Sequence, residues 1–263
     1  IKDISGKFSL LFINDSSSEK KPESNLNLKH INSITVINLK KNVLTGRCIA
    51  TGLKYLIDNK KFDNVIIMDS DGEDKPEDIL KLVNLSSTNN NQVVVAERKN
   101  RQVSLFYKIM YQIHIYFTYL STGKLIKFGN FSILPKKIIT KLVSDASLWN
   151  CFSSTIVKNS SSILYIKCNR DKRYFGKSKT NYLNLIYHSL TIISVFKINV
   201  ILRFFIYSIL FTLLLYKKFM ILNLIIIFAF LFFTILIYII SNRGNLKELL
   251  NSKSNIDSVE EIK

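Results

Sequence analysis

Residues 200–216 and 219–240 are two mostly apolar stretches separated only by Lys217 and Lys218. Nothing else in the chain limits its architecture as strongly. As helices, both fall in the range of roughly 17 to 25 apolar residues that spans the hydrocarbon layer of a membrane. Two spans joined by so short a link form a hairpin, with both outer ends on one side. Arg203 lies near the start of the first stretch, where its side chain can snorkel to the near interface. Lys197, Arg203, Arg243 and Lys247 put positive charge on the domain side, and the two lysines at the turn oppose them. Ahead of the hairpin, residues 181–197 place Leu183, Ile186, Tyr187, Leu190, Ile193 and Phe196 at helical spacing, as an interfacial amphipathic helix does. Residues 242–263 are polar and are expected to be loosely ordered.

The first 180 residues read differently. Short apolar runs at 8–13, 34–39, 65–68, 93–96 and 162–167 alternate with helical patterns at 45–56, 76–85, 104–120 and 148–157. Strands alternating with helices predict an α/β domain of one core, with ligands beyond the carboxyl ends of parallel strands. The expected organisation is a domain over 1–180, an amphipathic helix over 181–197, a transmembrane hairpin over 198–241 and a polar tail over 242–263.

Within that domain the acidic residues are clustered. Six of the 19 lie in residues 65–79, VIIMDSDGEDKPEDI, whereas residues 80–245 hold only Glu97, Asp145 and Asp171. If the strand stays extended through Asp71, Asp69 and Asp71 project from one face. Two carboxylates held that way suit a hard cation, Mg²⁺ or Mn²⁺, with substrate phosphates completing the shell. The same tetrapeptide is also an ordinary turn before a helix begun by Pro76. A calcium loop needs more alternating oxygen ligands and a closing glutamate. A phosphatase with a nucleophilic aspartate wants a second acidic site, for which the later chain has few acids.

The formal net charge of +18 fits an anionic membrane surface or nucleic acid. No zinc spacing, base-reading basic helix or RNA-binding aromatic signature supports the second. Hydrophobic residues make up 48% of the chain, with the excess towards its C-terminal end, which points to membrane. Cys48, Cys151 and Cys168 have no paired spacing and read as free thiols in a reducing compartment. The three histidines are isolated. The chain begins at Ile1 without Met or signal peptide and reads as a fragment.

Asp69 to Ile79 resembles the D-x-D-x-x-D-x-P-E segment of family 2 glycosyltransferases, in particular the polyprenyl-phosphate sugar transferases related to dolichol-phosphate mannose synthase and bactoprenol glucosyltransferases. Further matches follow in the same order. Asn14-Asp15-Ser16 resembles the family's V-D-D-G-S turn, with Asp15 the retained acid. The helix with Gly46, Arg47, Ala50 and Gly52 is similar to its G-x-x-x-A-x-x-x-G-L segment, whose small residues bring it close to the sheet. Glu97-Arg98 resembles the strand-end G-x-R, and Gly129-Asn130-Phe131 resembles G-D-F-R-L with an amide for the aspartate. Arg173 to Lys179 resembles the R-x-x-x-x-G-x-S-K loop. The resemblance covers about residues 8–240; the family's first strand, which precedes them, has no counterpart in the sequence.

The resemblance implies a Rossmann-like GT-A domain anchored by the two-helix hairpin, its active site on the cytoplasmic side. It implies an inverting, metal-dependent transfer of a sugar from a nucleotide diphosphate to a membrane polyprenyl phosphate, for glycan or surface polysaccharide assembly. Asp69 and Asp71 would hold Mg²⁺ or Mn²⁺. Asp15 and Arg47 would meet the nucleotide and its diphosphate, and Arg98, Lys108, Arg173, Ser178 and Lys179 the phosphates of donor and acceptor. Relatives anchored this way also assemble as homo-oligomers. Asn130 cannot accept a proton at neutral pH. An acceptor phosphate, already largely ionised, tolerates that loss better than a hydroxyl. Two alternatives remain at this stage: a relative that binds nucleotide or a partner without turnover, and an enzyme with a hydroxyl acceptor.

Overall fold

The computed structural model describes residues 7–17, 30–89, 92–99, 105–169, 171, 173–174, 182–215 and 219–263, with the backbone alone at 98–99. In chain order its elements are β1 (Phe8–Asn14), β2 (Ile31–Leu39), α1 (Thr45–Asn59), β3 (Asn64–Ile67), α2 (Asp78–Thr88), β4 (Val93–Lys99), α3 (Leu105–Thr122) and β5 (Phe128–Pro135). They continue with α4 (Lys136–Leu142), α5 (Phe152–Asn159), β6 (Ile163–Asn169), α6 (Tyr182–Ser194), α7 (Lys197–Leu215), α8 (Met220–Ser241), α9 (Leu246–Leu250) and β7 (Ile256–Glu261). The helix expected over 148–157 is divided. Its first part is a 3-10 turn, Ala146–Trp149, capped by the Asp145 side chain accepting from Ser147 N, and α5 begins only after extended Cys151.

The strands form two mixed sheets, ordered β1-β2-β7 and β3-β5-β4-β6, where an open parallel sheet was expected. Parallel pairing is confined to β1 with β2 and β4 with β6; β5 runs antiparallel to both its neighbours, and β7 antiparallel to β2. Helix α1 links the two sheets. Its Ala50 and Leu53 join Val93, Val95 and Leu134 in the main core, with Val65 and Ile67 packed against it. Gly52 lies against Ile13 and Leu11 of β1, and a Cβ there would collide with the Ile13 side chain. That is the close approach expected of the small residues in this helix.

The C-terminal segment is ordered, contrary to the expectation of a loose polar tail. Asn245 caps α9 by accepting from Glu248 N at 3.1 Å, and its amide donates to Glu248 Oε1 at 2.9 Å, a reciprocal cap. Leu249 is fully buried in the main core beside Leu148 and Trp149. Strand β7 then completes the first sheet, with Ile37 opposite Val259. Buried Asn38 receives a hydrogen bond from Asn14 at 3.1 Å and donates to Ser258 and Glu260 at 2.9 and 2.8 Å, so one polar rung crosses all three strands. The segment's polar residues are therefore ladder and cap partners. The ladder partners lie more than two hundred residues back in the chain, where sequence periodicity does not reveal them.

Helices α7 and α8 are long and apolar enough to cross a membrane, and only 11% of each apolar window is buried within the protein. A soluble core helix would be mostly buried. The hairpin is held at its base by α6, where Ile193 packs with Val200, Phe204 and Ile237. Asn150 ties it to the domain by donating to Ser194 Oγ at 2.8 Å. Near its far end, Asn223 Nδ2 donates to Thr212 Oγ1 at 3.4 Å across the two helices. Because α9 and β7 pack back into the domain, both ends of the hairpin lie on the domain side.

Candidate active site

Strand β3 ends at Ile67, so Asp69 and Asp71 do not share a strand face as expected. They sit on a turn instead. Asp69 N donates to Asp74 Oδ2 at 3.2 Å, and Glu73 N donates to Asp71 Oδ1 at 3.0 Å, folding the acidic stretch on itself. Gly72 takes φ +84°, which glycine adopts without cost. Asp74 and Asp78 are buried, the latter paired with Lys81 at the start of α2. Asp69, Asp71 and Glu73 are the acids of this turn that meet side chains from β5 and from beyond β6.

Two partners converge on them. From β5, Asn130 Nδ2 donates to Asp69 Oδ1 at 3.0 Å. An amide in that position orients the carboxylate, where an aspartate would repel it. From beyond β6, Arg173 Nη2 lies 2.9 Å from Asp71 Oδ2, and its Nε lies 3.3 Å from Glu73 Oε1 without hydrogen-bond alignment. Asp171, Arg173 and Tyr174 are all bound to the acidic turn. Asp171 N donates to Glu73 O at 2.9 Å, Tyr174 N to Asp71 O at 3.1 Å, and Lys75 pairs with Asp171 at 3.0 Å. The Tyr174 ring rests on Gly72, where an added Cβ would come within 2.5 Å of it. Arg173, expected to meet phosphates, thus pairs with one of the two acids expected to hold a cation.

Asp69 and Asp71 offer hard carboxylate oxygens, and Arg173 already demonstrates that the turn attracts positive charge. This donor chemistry fits Mg²⁺ or Mn²⁺ only with ligands from a bound substrate, because among the described residues no group of three or more His, Cys, Asp or Glu side chains could hold a metal ion.

Other expected site residues are placed elsewhere. Both oxygens of Asp15 accept backbone hydrogen bonds, from Val43 N at 2.7 Å and Leu44 N at 3.1 Å. Leu44 has φ +72°, an unfavourable value for leucine, and Asp15 braces this turn into α1. Arg47 stacks over the Trp149 ring at 5.1 Å, while Trp149 donates to Glu248 of α9 at 2.7 Å. Asp15 thus braces the turn into α1, and Arg47 packs on Trp149. Lys108 is exposed on α3, and Arg98 lies one residue before the end of β4, paired with Cys168 of β6. Ser178 and Lys179 lie outside the described residues. Burial, then the charge of Asp78, pushes the Cys168 thiol up to about 12; burial, then Asp15, does the same for Cys48, so neither offers a thiolate at neutral pH.

Sequence inspection missed the contribution of Glu73 and the seat of Tyr174 on Gly72. A left-handed glycine between two acids was the available signal for the second. Comparison with known proteins gives one family match: the model of Glycosyl transferase family 2 fits residues 2–142, just over half of the chain. No curated protein matches significantly.

Proposed function

Because the chain belongs to glycosyltransferase family 2, we propose that it transfers a sugar from a nucleotide diphosphate to a polyprenyl phosphate in the membrane, with inversion at the anomeric carbon. The observation that carries the acceptor class is the exposed apolar hairpin, whose two ends both return to the catalytic domain. Such an anchor keeps the acidic turn beside lipid, which a soluble acceptor would not require. The expected place is a two-span membrane protein with this domain on the cytoplasmic side, where nucleotide sugars are made.

The acceptor's phosphate oxygen attacks the anomeric carbon while the bond from that carbon to the diphosphate breaks and the nucleoside diphosphate leaves. Asp69 and Asp71 would hold the Mg²⁺ or Mn²⁺ of the donor, and that ion would supply positive charge against the leaving diphosphate. Asn130 keeps Asp69 oriented. Arg173 leaves Asp71 as the donor's diphosphate arrives and turns its planar fork onto phosphate oxygens, with Arg98, Lys108, Ser178 and Lys179 as further phosphate partners. No general base is needed, since a phosphate monoester is largely ionised near pH 7. The Asn130 amide therefore favours a phosphate acceptor over a hydroxyl.

The test is transfer of radiolabel from a panel of nucleotide sugars to undecaprenyl or dolichyl phosphate in membranes carrying the full-length protein. Label in the lipid fraction that disappears with Asp71→Ala is the expected result. Label appearing only with a hydroxyl acceptor, or Mn²⁺-dependent nucleotide binding with no transfer from any donor, would overturn the reading.

A further inference from the structure

The first membrane-length helix carries a cation that the transfer reaction does not use. Arg203 lies on α7, six residues beyond Lys197 and so about 9 Å along the axis from the domain end. Its Nη1 lies 3.5 Å from Leu120 O, at the end of α3, and 3.4 Å from Tyr207 Oη, both long contacts to neutral atoms. Tyr207 Oη itself donates to Leu120 O at 3.0 Å. Among the described residues no carboxylate comes within ion-pair distance of this guanidinium. A charged arginine inside an apolar helix is costly when uncompensated, and such residues mark ligand contacts.

The surroundings make room for a ligand. Asn199, Leu202, Arg203, Ile206 and Tyr207 line a groove of about 430 Å³ along one face of α7. Gly123, which ends α3 with φ +73°, lies against the Arg203 fork, and a Cβ there would strike Nη2. Leu202 and Ile206 are more than half exposed, giving the groove an apolar wall that runs along the helix. Lys124 is exposed directly after Gly123. A forked cation at the head of an apolar channel complements a phosphate joined to a hydrocarbon chain.

We propose that this groove binds the phosphate head of an anionic phospholipid from the surrounding leaflet, with Arg203 as its anchor and the acyl chain along Leu202 and Ile206. The site rests on the membrane reading given above and is separate from the acidic turn. The bound lipid supplies a countercharge that none of the described residues provides, and it fixes the junction of α3 and α7 against the domain.

The full-length protein in a neutral detergent, titrated with phosphatidylglycerol or phosphatidylcholine of identical chains and read by native mass spectrometry, tests this. Wild type should retain one phosphatidylglycerol at about tenfold lower concentration than phosphatidylcholine, as expected for loss of one charge-assisted contact. Arg203→Gln should erase that preference, Arg203→Lys should keep part of it, and Lys141→Gln, far along the chain on α4, should keep all of it. Trp149 fluorescence checks folding, and if Arg203→Gln does not fold, the Arg203→Lys titration decides alone. An unchanged preference in the Arg203 variants, or equal loss in Lys141→Gln, would overturn the site. So would displacement of the bound lipid by stoichiometric undecaprenyl phosphate, which would reassign the groove to the acceptor. Release of the protein from membranes by alkaline wash would sink the membrane reading and this site together; retention without lipid preference would sink the site alone.

Discussion

The acidic turn at residues 69–78 and the C-terminal segment at residues 245–261 are both polar, acid-bearing stretches beside a hydrophobic run, yet they put their carboxylates to different uses. In the second, Glu248 accepts from Trp149 and from its own helix cap, Glu260 accepts from Asn38, and Glu261 pairs with Lys60 at 2.8 Å. Those contacts reach elements of the folded domain. In the first, Asp71 meets a backbone amide of its own turn and an arginine from a basic loop, and Asp69 is oriented by an amide. Acids committed to caps and ladders serve the fold. Acids gathered on a turn and met by an arginine from a separate loop are the ones proposed to serve a substrate.

The contrast is broken most severely by removing one carboxylate from the turn. Asp71→Asn should lower sugar transfer by on the order of 100-fold or more while leaving the melting temperature nearly unchanged, because it removes a carboxylate proposed to hold the cation that would offset charge on the leaving diphosphate. A variant that both loses activity and unfolds would put this turn in the structural class with the tail. The reciprocal change is Leu249→Ala, which should cost about 2–5 kcal/mol of stability by opening a cavity in the main core, measured by denaturant unfolding of the full chain in detergent. Little effect would mean that the tail is an appendage after all.

Smaller changes sharpen the same comparison. Asn38→Ala leaves Asn14, Ser258 and Glu260 without the rung between them and should destabilise by about 1–3 kcal/mol, with no change in the donor KM. Asp145 supplies a pH test. Burial pushes its carboxyl up, but hydrogen bonds from Ser147, Asn159 and Lys158 outweigh that and hold it below the ordinary carboxylate value. A lowered folded-state value stabilises above the unfolded one and is lost as the pH falls through the folded one. Asp145→Asn should therefore be less stable than wild type by about 1 kcal/mol at neutral pH, the difference closing as the pH falls below about 4. Equal stability at neutral pH would count against the capping role.

What was legible in the chain was local. The alternation of strands and helices, the hairpin and the acidic cluster each depend on neighbours within about twenty residues, and each appears where periodicity or composition placed it. What escaped was non-local. Nothing beside Asn38 announces Ser258, nothing beside Trp149 announces Glu248, and nothing beside Arg47 announces its stacking on Trp149. Asp15 shows the same limit. Its place after a strand does not reveal that both its oxygens accept from the turn at Val43 and Leu44.

The account turns on whether the acidic turn is the seat of the donor's cation. Calorimetric titration of the full-length protein with UDP and with GDP, with and without Mn²⁺, compared between wild type and Asp69→Asn/Asp71→Asn, asks this most directly. One nucleotide should bind the wild type only when Mn²⁺ is present, and the double variant should lose that binding while melting at the same temperature. Equal Mn²⁺-dependent affinity in the two proteins would contradict it.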